Sequence, residues 1–568
     1  MPTRREMWDR LGGQVDVLII GGGINGAGIA RDAARRGLKV ALVEMRDLAF
    51  GTSSRSSKLV HGGLRYLEQM EFSLVFESVS ERRILMDIAP HIVNPLGFLF
   101  PVYKNSRRSL WQVNAGMWLY DGLSLFRSPK LHRKLNAKEV AREEPALRTT
   151  NISGAPLYYD CSTDDARLTL ESALDAAKFG AVITTYAKME DFIMDEGGRI
   201  CGVHVRDSLT GEEKEVRAHA VVNATGPWTD ATISKGTSEQ ACLLRPTKGV
   251  HIVVSKEALP VNNAVVCFHP EDGRVLFAIP WGMQTYIGTT DTDHEGDPAE
   301  IHATAEDVEY LVGAANFYFP QHQLTDADVI STWAGLRPLM GTTGSDEGVD
   351  ESSVSREHQI VVGADGLITI AGGKLTTYRK MSEEVVETVL KMLRLSGRLE
   401  ERVSASHTDR EPLPGAVGWP ADDDHAKVAS WVAEAAGDAC SAETVALLAN
   451  NYGMKGIDIA RLVRQEPSLG TTFCEGRPEI LAQVDWAVKE EFASTIEDVL
   501  VRRTQIFFRD VNQGLDGLEA LSKHMASLLG WSEERREQDV EAYRTRVSLS
   551  RRWKEQGHSA PSTKGEER

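Results

Sequence analysis

Residues 16–44 read DVLIIGGGINGAGIARDAARRGLKVALVE, and the reading of this stretch decides the fold. The run VDVLII at 15–20 is short, apolar and β-branched, as a strand buried on both faces needs to be. From Ile24 the chain is rich in Ala and Arg, reads as a helix and stops at Gly37; LKVALVE at 38–44 is a second strand. Between first strand and helix, Gly21, Gly23 and Gly26 spell G-x-G-x-x-G. In such a turn the first glycine permits the bend, the second lets backbone approach a pyrophosphate, and the third lets helix and strand pack closely. The helix N-terminus adds unpaired N–H groups and the positive end of its dipole. Glu44 closes the second strand eighteen residues past Gly26, where an acid accepts hydrogen bonds from an adenosine ribose. A glycine turn alone also serves unrelated purposes; strand, helix and acid in register predict a dinucleotide site.

The turn does not separate NAD from FAD. Two later segments do more: AVVNATGPW at 220–228 is an apolar strand ending in Ala-Thr-Gly, and ITIAGGKLTTYRK at 368–380 is a strand ending in two glycines and opening a helix near Thr376. Either alone is an ordinary strand-loop-helix passage. Three glycine-ended strands converging on one ligand exceed the needs of a simple NAD module, and a helix N-terminus aimed at a flavin stabilises negative charge on its N1 and O2. TSSRSSKLVHGGLRYLE at 52–68 combines hydroxyls, glycines and basic side chains in a way that suits an anion, although by itself it reads as a polar surface loop.

The chain has 568 residues, 42% hydrophobic and 26% charged, which predicts two or three domains. A net charge of −18 argues against nucleic acid as a partner. Six scattered cysteines with no CxxC suit a reducing cytoplasm and give no metal site. MPTRREMWDRLGG lacks the apolar core of a signal peptide, and no apolar run is long enough for a spanning helix. From 250 to 290 the texture is that of an antiparallel sheet, continued by VISTWAGLRPL at 329–339. TDREPLPGAVGWP reads as a linker, the following segments carry helical periodicity, and GHSAPSTKGEER is too polar to fold.

Taken together, the opening stretch, SSKLVHGGLRYLE, VNATGPW, KGVHIVV, IGTTD, GLRPL and GGKLTTYRK resemble the FAD-dependent, quinone-linked (aerobic) glycerol-3-phosphate dehydrogenases, over residues 15 to about 540. The resemblance implies an α/β fold: a glutathione-reductase-type FAD-binding Rossmann domain, an antiparallel β-sheet substrate cap and a helical C-terminal domain. The FAD-binding domain would take 14–105, 151–242 and 340–400, with a helical basic-aromatic segment at 106–150 and the cap at 243–339. A linker at 401–420, the helical domain at 421–556 and a disordered tail at 557–568 would follow.

The resemblance also assigns residues. Gly21, Gly22, Gly23, Asn25, Gly26, Ala27 and Glu44 would hold the adenosine and pyrophosphate. Thr52, Ser53, Ser57, Lys58 and Leu59 would line the FAD, and His61 and Gly62 would sit by the ring, where any side chain beyond glycine would crowd it. Gly226, Gly373, Lys374, Leu375 and Thr376 complete the cofactor set. Arg65, Tyr66, His251 and Arg337 would take the substrate, sn-glycerol 3-phosphate. For its phosphate, Arg65 and Arg337 are the choice, because a guanidinium fork matches phosphate bidentately. His251 is the first candidate for the base, its pKa lowered by Arg337 and Lys374, and Arg337 and Lys374 complete the catalytic set. Lys374 could stabilise the developing alkoxide or simply bind the flavin.

The implied reaction gives dihydroxyacetone phosphate, with electrons passed to a membrane quinone. The rivals are an oxidase using oxygen, whose family members carry an insertion absent here, and a flavin-binding assembly or regulatory protein without turnover. SRRSLWQVNAGMWLYDGLSLFRSPKLHRKL at 106–135 sets Trp111, Trp118 and Phe126 among Arg107, Arg108, Arg127 and Lys130. That mixture suits an anionic lipid surface, or else a core helix with solvated basic flanks. The expectation is a cytoplasmic protein, peripheral on the inner face of the membrane, with room for a homodimer.

Overall fold

The computed structural model describes residues 1–64, 70–124, 128–236, 242–341, 358–399 and 403–556. Arg65, Tyr66, Phe126, Arg127 and the tail at 557–568 lie outside the described residues.

Among the described residues one sheet is eight-stranded. Its centre is parallel: Gln14–Ile20 lies between Val40–Val43 and Glu213–Asn223, with Val182–Thr184 and Ile368–Ala371 beyond them. The apolar run works because it is buried on both faces. Val17 and Ile19 join the helices Ile24–Arg35, Asp165–Lys178 and Tyr378–Leu395 in one core. Leu18 and Ile20 point the other way, onto Phe192 and Val203 of the antiparallel strands Ala187–Met194 and Ile200–Asp207.

A second sheet has eleven strands, built on the long antiparallel pair Leu244–Ser255 and Val329–Met340. Here the structure corrects the expected boundaries. Asn94–Leu99 and Ile152–Ser162, assigned above to the FAD-binding part, belong to this sheet, pairing Leu99 with Leu157 and Phe98 with Ala264. Their alternation explains it: Phe98 packs into one face with Val253 and Ile279, Leu99 into the other with Ile252 and Val265. The segment at 106–150 is not wholly helical either, since Arg133–Leu135 adds a further strand against Ile152–Ser162.

The segment that reads as a linker is docked. Leu413 is buried and its N–H donates to the Ile88 carbonyl at 2.9 Å, while the Gly415 N–H donates to Glu171 Oε2 at 2.9 Å. Beyond it, the helices His425–Ala436, Ala442–Tyr452 and Lys455–Gln465 share a core around Val432, Leu448 and Ile459. The last long helix, Glu533–Arg551, packs on Val329–Met340 of the second sheet, and Trp553 joins the cap core. Buried ion pairs tie the earlier segment Asp498–Arg503 to the FAD-binding part, where Arg503 grips both oxygens of Asp47 at 2.7 and 2.9 Å.

Candidate active site

Gly21 adopts a φ of +106°, where a side chain is strained, and a Cβ there would lie 2.6 Å from the Ala224 carbonyl oxygen. The bend turns the Gly22 N–H toward Glu44, which accepts it on Oε2 at 2.6 Å and the Arg46 N–H on Oε1 at 2.9 Å. Burial pushes the Glu44 carboxyl up, and those two N–H bonds oppose the shift. Gly23 has no side chain to cap the helix Ile24–Arg35, and Ser53 Oγ accepts the Ile24 N–H at 2.9 Å instead.

This turn opens one end of a cleft that gathers many of the sequence candidates. Gly21, Gly23, Asn25, Glu44, Thr52 and Ser53 line it from the first strand-turn-helix and its following loop. Gly226 joins from the second glycine-ended strand, and Gly373, Lys374 and Leu375 from the third. The donor set fits a dinucleotide: a Cβ would fill the cradle at Gly21, the N-cap position is itself a glycine, and a buried acid, Glu44, closes the second strand beside the turn. Phe50 and Trp228 were missed. They stack at 6.4 Å on the wall of the cleft, and no motif marks Phe50.

Several assigned residues support the cleft from behind. Gly22 spends its N–H on Glu44, Gly26 packs so closely that a Cβ would strike the Gly21 carbonyl, and Ala27 lies in the core. The Leu59 side chain packs in the core. The Lys58 ammonium is buried against Asp165 Oδ1 at 2.6 Å and the Ser54 carbonyl at 3.1 Å, because an uncompensated charge there would be costly. Gly62 is held small by the protein's own packing. A Cβ there would strike the Tyr120 hydroxyl and Val79, and its N–H donates to Asp160 at 3.1 Å. Thr376 faces the same loop, its Oγ accepting the His61 N–H at 3.1 Å.

The cap sheet presents its long strand pair to the loop at 52–58. His251 pairs with Trp333 and Thr247 with Arg337, so His251 and Arg337 lie two pairs apart on one face. Thr52 Oγ donates to the Leu336 carbonyl at 2.6 Å and Trp333 Nε1 to the Ser56 carbonyl at 3.2 Å, locking loop to sheet. Ser57, expected on the FAD, instead reaches His251 Nε2 at 2.9 Å. The imidazole is buried and stacks on Trp333 at 4.7 Å, while its Nδ1 has no hydrogen-bond partner.

Burial, then Arg337, then Lys58 hold His251 well below its ordinary 6.5. Lys58 takes the part expected of Lys374. Gly249 gives the Arg337 guanidinium its room, since a Cβ there would sit 2.8 Å from Nη2. Arg337 Nη1 meets Asp291 Oδ1 at 2.7 Å and Nη2 meets Thr289 Oγ at 3.1 Å. Next to Arg337, Pro338 lines the cleft that Lys374 lines from the opposite sheet.

A pH dependence follows. With its folded pKa depressed, His251 stays neutral through pH 6.5, so kcat/KM should hold level there, and a pH–rate profile checks it. The unfolded chain takes up the proton that buried His251 refuses, so this contribution to stability is complete above about pH 6.5 and shrinks as pH falls below it.

Residues 16–379 match the FAD dependent oxidoreductase family, and residues 406–536 match the C-terminal domain of alpha-glycerophosphate oxidase. An aerobic glycerol-3-phosphate dehydrogenase of Staphylococcus haemolyticus is 37% identical over 96% of each chain. The crystal structure of the glycerol-3-phosphate dehydrogenase of Bacillus halodurans complexed with FAD is 35% identical, covers 96% of this chain and 97% of its own, and superposes with a TM-score of 0.78. A Mycoplasma pneumoniae L-alpha-glycerophosphate oxidase with FAD bound, 17% identical over 71% of this chain and 99% of its own with a TM-score of 0.53, shares the fold. With its glycine turn, buried acid and three converging strand ends already in place, the chain belongs to the FAD-dependent oxidoreductases and, within them, to the glycerol-3-phosphate dehydrogenases.

Proposed function

We propose that this protein oxidises sn-glycerol 3-phosphate to dihydroxyacetone phosphate and delivers the electrons to a membrane quinone. The observation that carries the reading is a neutral, buried His251 on the same sheet face as Arg337, beside the cleft that Lys374 lines. When bound, FAD supplies the hydride acceptor. Ser57 Oγ takes the Nε2 hydrogen bond at 2.9 Å and leaves Nδ1 to accept the proton of the substrate hydroxyl. Arg337 forks the phosphate, its guanidinium oriented by Asp291 and Thr289. Lys374 stabilises the developing alkoxide. Arg65 and Tyr66 are assigned to the substrate through the family motif.

Glu44 is proposed to hold the adenosine ribose. Glu44→Ala should weaken FAD by about 1.5–3 kcal/mol, roughly ten- to a hundred-fold, in a fluorescence titration of the apoprotein. Unchanged affinity would remove Glu44 from the cofactor site.

The acceptor reading rests on a surface. Trp111 is 70% exposed and Trp118 55% exposed on the helix Leu110–Leu123, and Phe72 and Phe76 are exposed on the contacting helix Phe72–Ile88. No helix among the described residues is long and apolar enough to cross a membrane. A basic-aromatic face of this kind suits an anionic bilayer. Replacing Arg107, Arg108, Arg127 and Lys130 with Gln should abolish co-sedimentation with anionic vesicles, and salt should do the same to the wild type. Wild-type protein that ignores such vesicles at low salt contradicts the membrane reading. Turnover with a quinone analogue as against oxygen decides between dehydrogenase and oxidase.

A further inference from the structure

Where the FAD-binding part, the cap and the C-terminal helices meet there is a second cavity of about 630 Å³. Its walls include Arg46 and Phe50 from the first, Asp297 from the second, and Glu497, Arg535 and Tyr543 from the third. Arg55 does not line this cavity itself but holds its guanidinium 5.2 Å from the centroid of the Phe50 ring on its wall. It is only 8% exposed, yet among the described residues its guanidinium meets no hydrogen-bond acceptor. A buried guanidinium without an acceptor is costly, so its retention calls for a compensating charge.

The protein does not supply enough of one. Arg502 shares the Phe50 ring with Arg55, at 6.0 Å, and takes Glu497 Oε1 at 3.2 Å. Arg546, one turn beyond the cavity-lining Ala542 and Tyr543, stands 3.9 Å from the same Glu497 oxygen, and its Nε is buried without a hydrogen-bond partner. One carboxylate therefore serves Arg502 and Arg546 by contact and Arg55 at longer range. Arg502 has Asp47 and Asp498 besides; Arg55 and Arg546 have only this share. The field registers the surplus: burial and then Arg546 bring Arg55 down to about 9, and burial, Arg546, Arg55 and Arg552 bring His302 down to about 4.

We propose that this junction is a second anion site, in which Arg55 and Arg546, with His302 at its edge, hold a phosphate-sized dianion away from the substrate pocket. Two guanidinium groups presenting unpaired N–H donors suit the tetrahedral oxygens of a phosphoryl group. An occupant there would tie the C-terminal helices to the loop that carries Phe50, and so to the wall of the cofactor cleft.

The test is equilibrium dialysis of the FAD-loaded enzyme against labelled inorganic phosphate at constant ionic strength, with FAD content measured on each sample. It rests on the reading of Arg337 as the substrate's phosphate ligand, and the variants separate the two. Wild type should bind one population of phosphate sensitive to Arg337→Gln and another sensitive to Arg55→Gln or Arg546→Gln. Each of the latter should weaken its own population at least about ten-fold and leave FAD content and competitive inhibition by phosphate unchanged. Glu497→Gln should tighten the same population, which a merely structural role would not produce. Phosphate binding untouched by Arg55→Gln and Arg546→Gln would overturn the site. So would loss of FAD from Arg55→Gln, which would hand that guanidinium to the cofactor. Loss of the Arg337 population alone would leave this site standing and fail only the substrate assignment.

Discussion

Glutamine in place of His251 should slow flavin reduction by about a hundred- to ten-thousand-fold at neutral pH, with FAD content unchanged. The amide can still donate to Ser57 Oγ, whose bond to His251 Nε2 is 2.9 Å, so the loop-to-sheet contact survives. What it cannot do is accept a proton. The magnitude is that of losing a positioned general base from a site where no other neutral acceptor is placed by the same contacts. His251 is suited to this role because its burial beside Arg337 and Lys58 prevents protonation. Stopped-flow absorbance of the flavin on mixing with sn-glycerol 3-phosphate measures the effect. A reduction rate within a few-fold of wild type would transfer the role of base elsewhere.

Arg337→Lys should lower kcat/KM for sn-glycerol 3-phosphate on the order of a hundred-fold. Lysine keeps the charge and can still meet Asp291, now 2.7 Å from Arg337 Nη1, but it loses the planar fork, so a bidentate phosphate contact becomes at best a single one. Glycerol carries no phosphate and should be an equally poor substrate for both proteins. FAD content should stay constant, because the assigned contact is with substrate. Steady-state kinetics with both alcohols, together with the flavin-to-protein ratio, give the answer. Near wild-type kcat/KM would remove Arg337 from the site, and loss of FAD would mean that it serves the cofactor's anion.

The cofactor half of the molecule was the more legible half. A strand buried on both faces must be apolar throughout, and a close backbone approach must be glycine, so Val17–Ile20 and Gly21–Gly26 carry their roles in their own composition. Long-range partnership leaves no such mark. Nothing local to Asn94–Leu99 says that it pairs with Ile152–Ser162 in the second sheet, since the alternation of Phe98 and Leu99 suits any two-sided core. Lys58 looked like an anion ligand because its partner Asp165 lies 107 residues away. Gly62 illustrates the same limit. The need for a small residue was visible, but the neighbours that impose it, Tyr120 and Val79, come from two separate helices. Pro and Gly content marks residues 408–420 as a linker, whereas the carbonyl and carboxylate acceptors that dock it, at Ile88 and Glu171, lie in other segments.

Anaerobic mixing of the FAD-loaded protein with sn-glycerol 3-phosphate tests most directly whether the flavin and the basic, histidine-bearing cap face form one catalytic site. The expected result is rapid bleaching of the oxidised flavin by sn-glycerol 3-phosphate and none by glycerol, with colour restored faster by a quinone analogue than by oxygen. An oxidised spectrum that persists at saturating sn-glycerol 3-phosphate would contradict the assignment of this site.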